Sequence, residues 1–249
     1  MADRRMPSFA VVVPAYNEAA GIGACVRAIH ESLERLPNRS ALVVVDDGSA
    51  DRTADALDEL VRGHARLVVV RHGRNRGYGA ALRTGTATAA ARGYEYVLFM
   101  DSDLTNDPAS IPAFTAQMAN GVDVIKASRY VRGGGVDGVP AWRSTLSIVG
   151  NLVARLLFGL PVRDTTNGFR AVRTSLLTAI DLEENGFAVI MEELYRLRPL
   201  AKSYAEVPIV LTTRADELRG SSFSFGPRAM AAYLRYPLRA ARDRIGGRG

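Results

Sequence analysis

The sequence predicts an α/β fold in which a mainly parallel sheet is flanked by helices and followed by a C-terminal helical portion. Three observations carry that prediction. Short β-branched runs alternate with helix-period segments through the first half; each of the first four runs ends in a polar cluster; and beyond Arg129 the texture changes to a glycine-rich loop and longer helical stretches. Strand–helix alternation of this kind implies right-handed βαβ units.

Taken in order, Phe9–Val13 is the first expected strand, stopped by Pro14, and Gly21–Leu36 the first helix. Ile22, Val26, Ile29, Leu33 and Leu36 recur there at helical spacing and mark its inner face. Leu42–Val45, Leu67–Val70, Tyr96–Met100 and Val122–Lys126 are the next strands, separated by helices over Thr53–Val61, Ala80–Ala91 and Ile111–Met118. Asp51 or Ser49 is a natural N-cap for the helix over Thr53–Val61. After Gly133-Gly134-Gly135, helices are expected from Trp142 to Phe158 and from Phe187 to Arg198, then a strand over Ala205–Thr212.

The chain has 249 residues, 47% of them hydrophobic and 23% charged, enough for one α/β domain with a full core. The expected division is a domain over 1–226 and a basic extension over 227–249. A lone cysteine, Cys25, excludes an internal disulfide framework and fits a reducing compartment as a small core residue. The apolar run at Phe9–Val13 is too short for a signal-peptide core, and the best long window, Leu146 to Leu160, is broken by Asn151 and Arg155. The expected location is therefore cytoplasmic.

The net charge of +6 admits nucleic acid, an anionic membrane or a phosphorylated substrate as partner. Arg228, Arg235, Arg239, Arg242, Arg244 and Arg248 crowd the tail among Met230, Tyr233, Leu234, Leu238 and Ile245. That pattern suits a peripheral helix at the cytoplasmic membrane face, or a basic solvated helix packed on the domain. Neither zinc-finger spacing nor an RNA-binding aromatic pattern occurs, so no nucleic-acid partner is expected.

In an open parallel sheet the ligand sits beyond the carboxyl ends of the strands. Four consecutive strand ends are decorated: Pro14 to Glu18, Asp46-Asp47-Gly48-Ser49, Asn75 to Gly79, and Asp101-Ser102-Asp103. Carboxylates there divide between accepting hydrogen bonds from a base or ribose, which suits Asp46 and Asp47, and holding a hard Mg²⁺ or Mn²⁺ beside substrate phosphates, which suits Asp101 and Asp103. The dinucleotide fingerprint G-x-G-x-x-G is absent after the first strand, as are G-x-x-x-x-G-K-[ST], G-x-S-x-G and H-E-x-x-H. His30, His64 and His72 are scattered and read as structural or surface residues.

The ordered set Val13-Pro14-Ala15-Tyr16-Asn17-Glu18, Asp46 to Thr53, Asn75-Arg76-Gly77-Tyr78-Gly79, Met100 to Leu104, Ser128-Arg129-Tyr130 and Asp164 to Arg170 resembles the family 2 inverting glycosyltransferases, and within them the dolichol- or polyprenol-phosphate mannosyltransferase-like enzymes. The resemblance spans about Phe9 to Thr213. It implies the GT-A fold, a Rossmann-like sheet flanked by helices, and a nucleotide-sugar donor, a GDP- or UDP-hexose. Pro14, Tyr16, Glu18, Asp46, Asp47, Gly77, Asp101 and Ser102 would then bind the donor, and Asp101 and Asp103 the metal. Arg129, Arg143 and Ser147 would grip the acceptor phosphate, with Asp103, Arg129, Arg143 and Asp164 at the reacting centre. Thr105 stands where the group often places a further ligand, a glutamine. After Glu206-Val207-Pro208-Ile209 the family's G-x-S-K lysine is missing, so a lid over the donor would use Arg214 or Arg219 in its place or close less tightly.

A phosphate monoester is ionised at neutral pH and attacks without a protein base, whereas a hydroxyl acceptor needs one. Asp164 or Glu192 would serve in that second case, although Glu192 reads as part of a solvated helix face. The sequence thus points to hexose transfer, mannose from GDP-mannose, onto a polyprenyl phosphate. Transfer to a soluble phosphorylated or hydroxyl acceptor is the alternative. A nucleotidyltransferase would need basic residues between Pro14 and Gly21, which are absent. A non-catalytic nucleotide-sugar binding module would have no need of Asp101 and Asp103.

Overall fold

The computed structural model describes residues 6–138, 140–212 and 227–247, with the side chains at 141, 143 and 227–230 outside that description. Arg214, Arg219, Arg228, Met230 and Arg248, singled out above, therefore lie outside the described side chains.

The chain runs β1 (Phe9–Ala15), α1 (Ile22–Glu34), β2 (Ser40–Asp46), α2 (Thr53–Gly63), β3 (Leu67–Arg71), α3 (Tyr78–Ala91), β4 (Tyr96–Phe99), α4 (Ile111–Ala119), β5 (Val124–Ser128) and β6 (Gly135–Val136). It continues through α5 (Ala141–Phe158), β7 (Arg170–Arg173), α6 (Thr174–Leu177), α7 (Val189–Leu197), β8 (Tyr204–Pro208), β9 (Val210–Leu211) and α8 (Pro227–Ile245). Among the described residues the main sheet has the order β3-β2-β1-β4-β7-β5-β8, and β6 pairs with β9 in a small second sheet.

The expected mainly parallel sheet is borne out, with one difference. β7 enters between β4 and β5, antiparallel to both. Its sequence, Arg-Ala-Val-Arg, is too short and too charged at its ends to read as a buried strand. Several bounds also shift. Val122 precedes β5, which extends instead to Ser128. The expected strand over Ala205–Thr212 divides at Ile209, with β8 pairing β5 and β9 crossing to β6.

Alternation along β1 builds both faces of the core. Phe9, Val11, Val13 and Ala15 pack with Ile22, Val26, Ile29 and Leu33 of α1, while Ala10 and Val12 point to α3 and α7. On that second side α3 lies close to the sheet. A β-carbon at Gly85 would come within 2.2 Å of Val12 Cγ1, so the small residues of α3 are what permit the approach. A third cluster joins α5, α7 and α8 through Phe158, Met191, Leu194, Tyr236 and Ala240. Cys25 is buried in the first cluster, as expected.

β1 is the point where the sheet order reverses: β2 and β3 lie on one side and β4 on the other. The crevice beyond its carboxyl end is where such sheets bind ligands.

Candidate donor and acceptor site

A cleft of about 330 Å³ opens there. Of the residues expected to contact the donor, Pro14, Tyr16, Glu18, Asp47, Gly77, Asp101 and Ser102 lie on its wall, together with Asp103. Asp46 does not.

Local hydrogen bonds hold these loops in place. Asn17 adopts a positive φ of 54°, and its Oδ1 accepts from the backbone N–H of Ala50 at 2.8 Å. Its own N–H donates to Ser49 Oγ at 2.9 Å, so Ser49 ties the first two loops together and does not cap α2. Asp51 does serve the start of α2, accepting from Thr53 N at 2.9 Å. Asp46 is buried, and its Oδ1 accepts from Ser49 N at 3.0 Å.

Asp47, on the cleft wall, also holds the neighbouring loop. Its Oδ1 meets His72 Nδ1 at 2.5 Å and accepts from Arg76 N at 3.0 Å, while Oδ2 accepts from Gly77 N at 2.7 Å. The carboxylate fixes the loop after β3, and with it the entry to α3. His72 is held in turn by Thr84 Oγ1 at 2.8 Å, a structural role in keeping with the sequence reading.

At the other end of the cleft Asp101 Oδ1 accepts from Tyr78 OH at 3.1 Å. Asp103 Oδ1 accepts from Thr105 N at 3.1 Å and Thr105 Oγ1 at 2.8 Å. Thr105, at the glutamine position, thus orients Asp103. A β-carbon at Gly168 would lie 3.2 Å from Asp101 Oδ2, so the loop after Asp164 sits close against the aspartate.

The field around the two aspartates is anionic. Burial first, then Asp103, Glu18 and Asp101, push the Cys25 thiol up to about 12. Burial and Asp101 likewise raise the Tyr78 phenol well above its ordinary value. No group of three or more His, Cys, Asp or Glu is gathered for a metal among the described residues. Two carboxylates at the cleft mouth instead fit a Mg²⁺ or Mn²⁺ ion whose remaining positions are filled by diphosphate oxygens and water.

The loop that leads to Gly168 is held by an arginine–aspartate pair. Arg129 grips the buried Asp164 with both sides of its fork, Nε to Oδ2 at 2.7 Å and Nη2 to Oδ1 at 2.9 Å. Nη2 also reaches Thr166 Oγ1 at 3.0 Å. Ser147 Oγ lies 2.7 Å from Tyr130 OH. Asn151 clamps the loop to α5, its Oδ1 accepting from Thr165 N at 2.7 Å. Arg143 is on the first turn of α5, with its side chain outside the described residues.

Burial lies behind this loop as well as charge. Lys126 is fully buried and donates to Asn167 O at 2.6 Å. Desolvation, then the nearby Arg170, lower its pKa to about 7. The unfolded chain therefore binds one more proton than the native state between pH 7 and the ordinary lysine value near ~10.4, and stability from this group rises with pH across that window. Melting temperatures from pH 7 to 9 should climb more steeply for wild type than for Lys126→Met. Parallel curves would contradict the assignment.

Glu192 corrects the sequence reading. It is neither on a solvated face nor in the cleft: it is buried, accepting from Glu183 N at 2.9 Å, Glu184 N at 2.8 Å and Arg196 Nε at 2.9 Å. Tyr78 and Phe187, which sequence reasoning left without a role, pair their rings at 4.6 Å on the cleft wall. Tyr78 stood inside a quoted motif; Phe187 carried no signal.

Comparison with known proteins agrees with this layout. Residues 10–180 match the family model for glycosyl transferase family 2. Polyprenol monophosphomannose synthase from Mycolicibacterium smegmatis is 32% identical over 95% of this chain and 89% of its own length. Undecaprenyl-phosphate mannosyltransferase from Micrococcus luteus is 31% identical over 86% and 87%. Among solved structures, glucosyl-3-phosphoglycerate synthase from Mycobacterium tuberculosis with Mn²⁺, UDP-glucose and phosphoglyceric acid superposes with a TM-score of 0.65 at 23% identity, over 96% of this chain and 80% of that one. S. aureus TarS 1-349 with UDP-GlcNAc gives 0.59 at 23%, over 87% and 62%. These two likenesses concern the fold. With its cleft at the sheet's reversal point, its paired aspartates at the end of β4 and relatives of this similarity along almost its whole length, the chain belongs to glycosyl transferase family 2 and is a glycosyltransferase.

Proposed function

We propose that this enzyme transfers a hexose, mannose from GDP-mannose, to a polyprenyl phosphate at a membrane surface. The observation that carries the reading is the contact at Gly168, where the carboxylate-lined cleft shares a wall with the loop anchored to Arg129. A diphosphate donor on one side and a phosphate acceptor on the other would meet across that wall. The relatives from Mycolicibacterium smegmatis and Micrococcus luteus are a polyprenol monophosphomannose synthase and an undecaprenyl-phosphate mannosyltransferase, which supports this reading.

When bound, a divalent cation at Asp101 and Asp103 supplies charge neutralisation for the departing diphosphate. The protein's own residues do the rest by placement. Tyr16 and Glu18, on the cleft wall, take the nucleoside, and Asp46, buried behind them, holds the loop by accepting from Ser49 N. Arg129 presents Nη1, the guanidinium nitrogen left without a partner by Asp164 and Thr166, and with Arg143 and Ser147 orients the acceptor phosphate. An acceptor oxygen bonds to the anomeric carbon as the carbon–oxygen bond to the diphosphate breaks from the opposite face, inverting the centre. No protein base is needed. Asp164, enclosed and held below the usual carboxylate range by Arg129 despite its burial, is a positioning residue.

The lipid setting is supported by α5. Trp142, Leu146, Val149, Val153 and Leu156 follow one another at steps of four, three, four and three, a single helical stripe, and all are exposed. Leu152, also exposed, borders it. Exposed Arg235, Arg239, Arg242 and Arg244 on α8 supply the positive charge that an anionic leaflet attracts. No helix among the described residues is long and apolar enough to cross a membrane. The chain would therefore lie on the surface with α5 against the lipid.

Arg143→Ala tests the acceptor assignment. It should raise the acceptor KM or cut transfer about tenfold, as expected for a lost charged hydrogen bond, and leave the donor KM unchanged. Lysine should restore part of the loss, offering charge without the planar fork. A donor KM that rises in step would place Arg143 elsewhere.

A further inference from the structure

The C-terminal helix reaches the donor cleft through one carboxylate. Glu184 Oε1 accepts from Arg235 Nη1 at 2.8 Å and from Tyr236 OH at 2.9 Å, both on α8. The backbone of the same residue is buried in a second set of contacts: its N–H donates to Glu192 Oε2 and its carbonyl accepts from Arg83 Nη1 on α3 at 2.9 Å. Its carbonyl oxygen would lie 2.0 Å from a β-carbon at Gly79, so residues 183–185 are pressed onto the first turn of α3. Three residues on, Phe187 lies against the ring of Tyr78, whose hydroxyl donates to Asp101.

We propose that α8 is a working part of the donor site, in which Glu184 latches Arg235 and Tyr236 so that the 183–187 segment holds Phe187 and Tyr78 in place against Asp101. Resting as it does on the donor-site reading, the latch makes Glu184 a positioning residue for a nucleoside diphosphate and its cation. The electrostatics of Tyr233 agree. This α8 side chain packs beside the cluster of α5 and α7, and its phenol is pushed up by burial and next by the charge of Asp101, which puts α8 within reach of the aspartate's field. Because the same helix carries the exposed arginines, it ties the basic surface to the cleft.

The test uses the full chain, with Mn²⁺ and GDP or Mn²⁺ and UDP as probes. Glu184→Ala, Arg235→Ala and Tyr236→Phe should each weaken binding of the nucleotide that wild type takes, up to about tenfold for Glu184→Ala. Combining Glu184→Ala with Arg235→Ala should add little, because the two changes break one contact. Amide exchange should quicken at residues 183–187 while β1 and β2 keep wild-type protection. Tyr236→Phe removes a single hydroxyl and keeps the packed ring, so it gives the answer if Glu184→Ala does not fold. Wild-type affinity in the variants overturns the latch, whether or not exchange changes. A wild type that binds neither nucleotide refutes the donor-site reading itself, and the latch with it.

Discussion

Asp103→Ala should lower kcat/KM for transfer about a thousandfold or more, and Asp101→Ala should do so less completely, with melting temperatures little changed. Both carboxylates line the donor cleft. Asp103 accepts from Thr105, and Asp101 from Tyr78. Losing either set costs about 1 kcal/mol of folding stability. The effect on chemistry is far larger, because neutralising a departing diphosphate is worth several kcal/mol in the transition state. Excess EDTA should mimic the substitutions in wild type. Full activity in the chelator, or in Asp103→Ala, would remove the cation from the account.

The second large effect is on stability. Glu193→Ala should destabilise the fold by about 3–5 kcal/mol, measured by denaturant titration, since it strands Arg170 in the core. Arg170 and Glu193 are both fully buried, joined by Nε to Oε1 at 2.6 Å and Nη2 to Oε2 at 2.7 Å. The guanidinium also sits 4.3 Å from the Phe99 ring centroid and donates to Gly168 O at 2.8 Å. Replacing the pair with Arg170→Met and Glu193→Leu should recover much of the lost stability, because removing both charges removes the desolvation penalty. It should not recover transfer, because the Gly168 carbonyl loses the donor that holds its loop beside Asp101. A double variant as active as wild type would show that the pair serves folding alone.

The same pair shows where the sequence stopped being legible. Strands β1, β2 and β4 are apolar runs with turn residues behind them, and their order and ends follow from local pattern. β7 cannot be read that way, since a strand that begins and ends in arginine is buried only by virtue of Glu193 and Asp123, far away in sequence. Site residues divide along the same line. Asp101, Asp103 and the loops after β1 and β2 lie at strand ends and were visible as polar clusters. The anchoring role of Asp47 depends on His72 and the loop after β3, and the burial of Glu192 on residues 183 and 184. Phe187 reaches the cleft only because glycines at 77 and 79 let its segment settle on α3. None of these contacts follows from a local sequence pattern.

The most direct test of lipid-phosphate transfer offers wild-type enzyme, with Mn²⁺ and GDP-mannose, a polyprenyl phosphate and the matching neutral polyprenol side by side. The phosphate should be mannosylated and the alcohol left untouched, because the proposed grip of Arg129 and Ser147 suits an anion and the proposed in-line attack relies on an acceptor that is already ionised. Equal transfer to both would contradict phosphate recognition and in-line attack by an ionised acceptor.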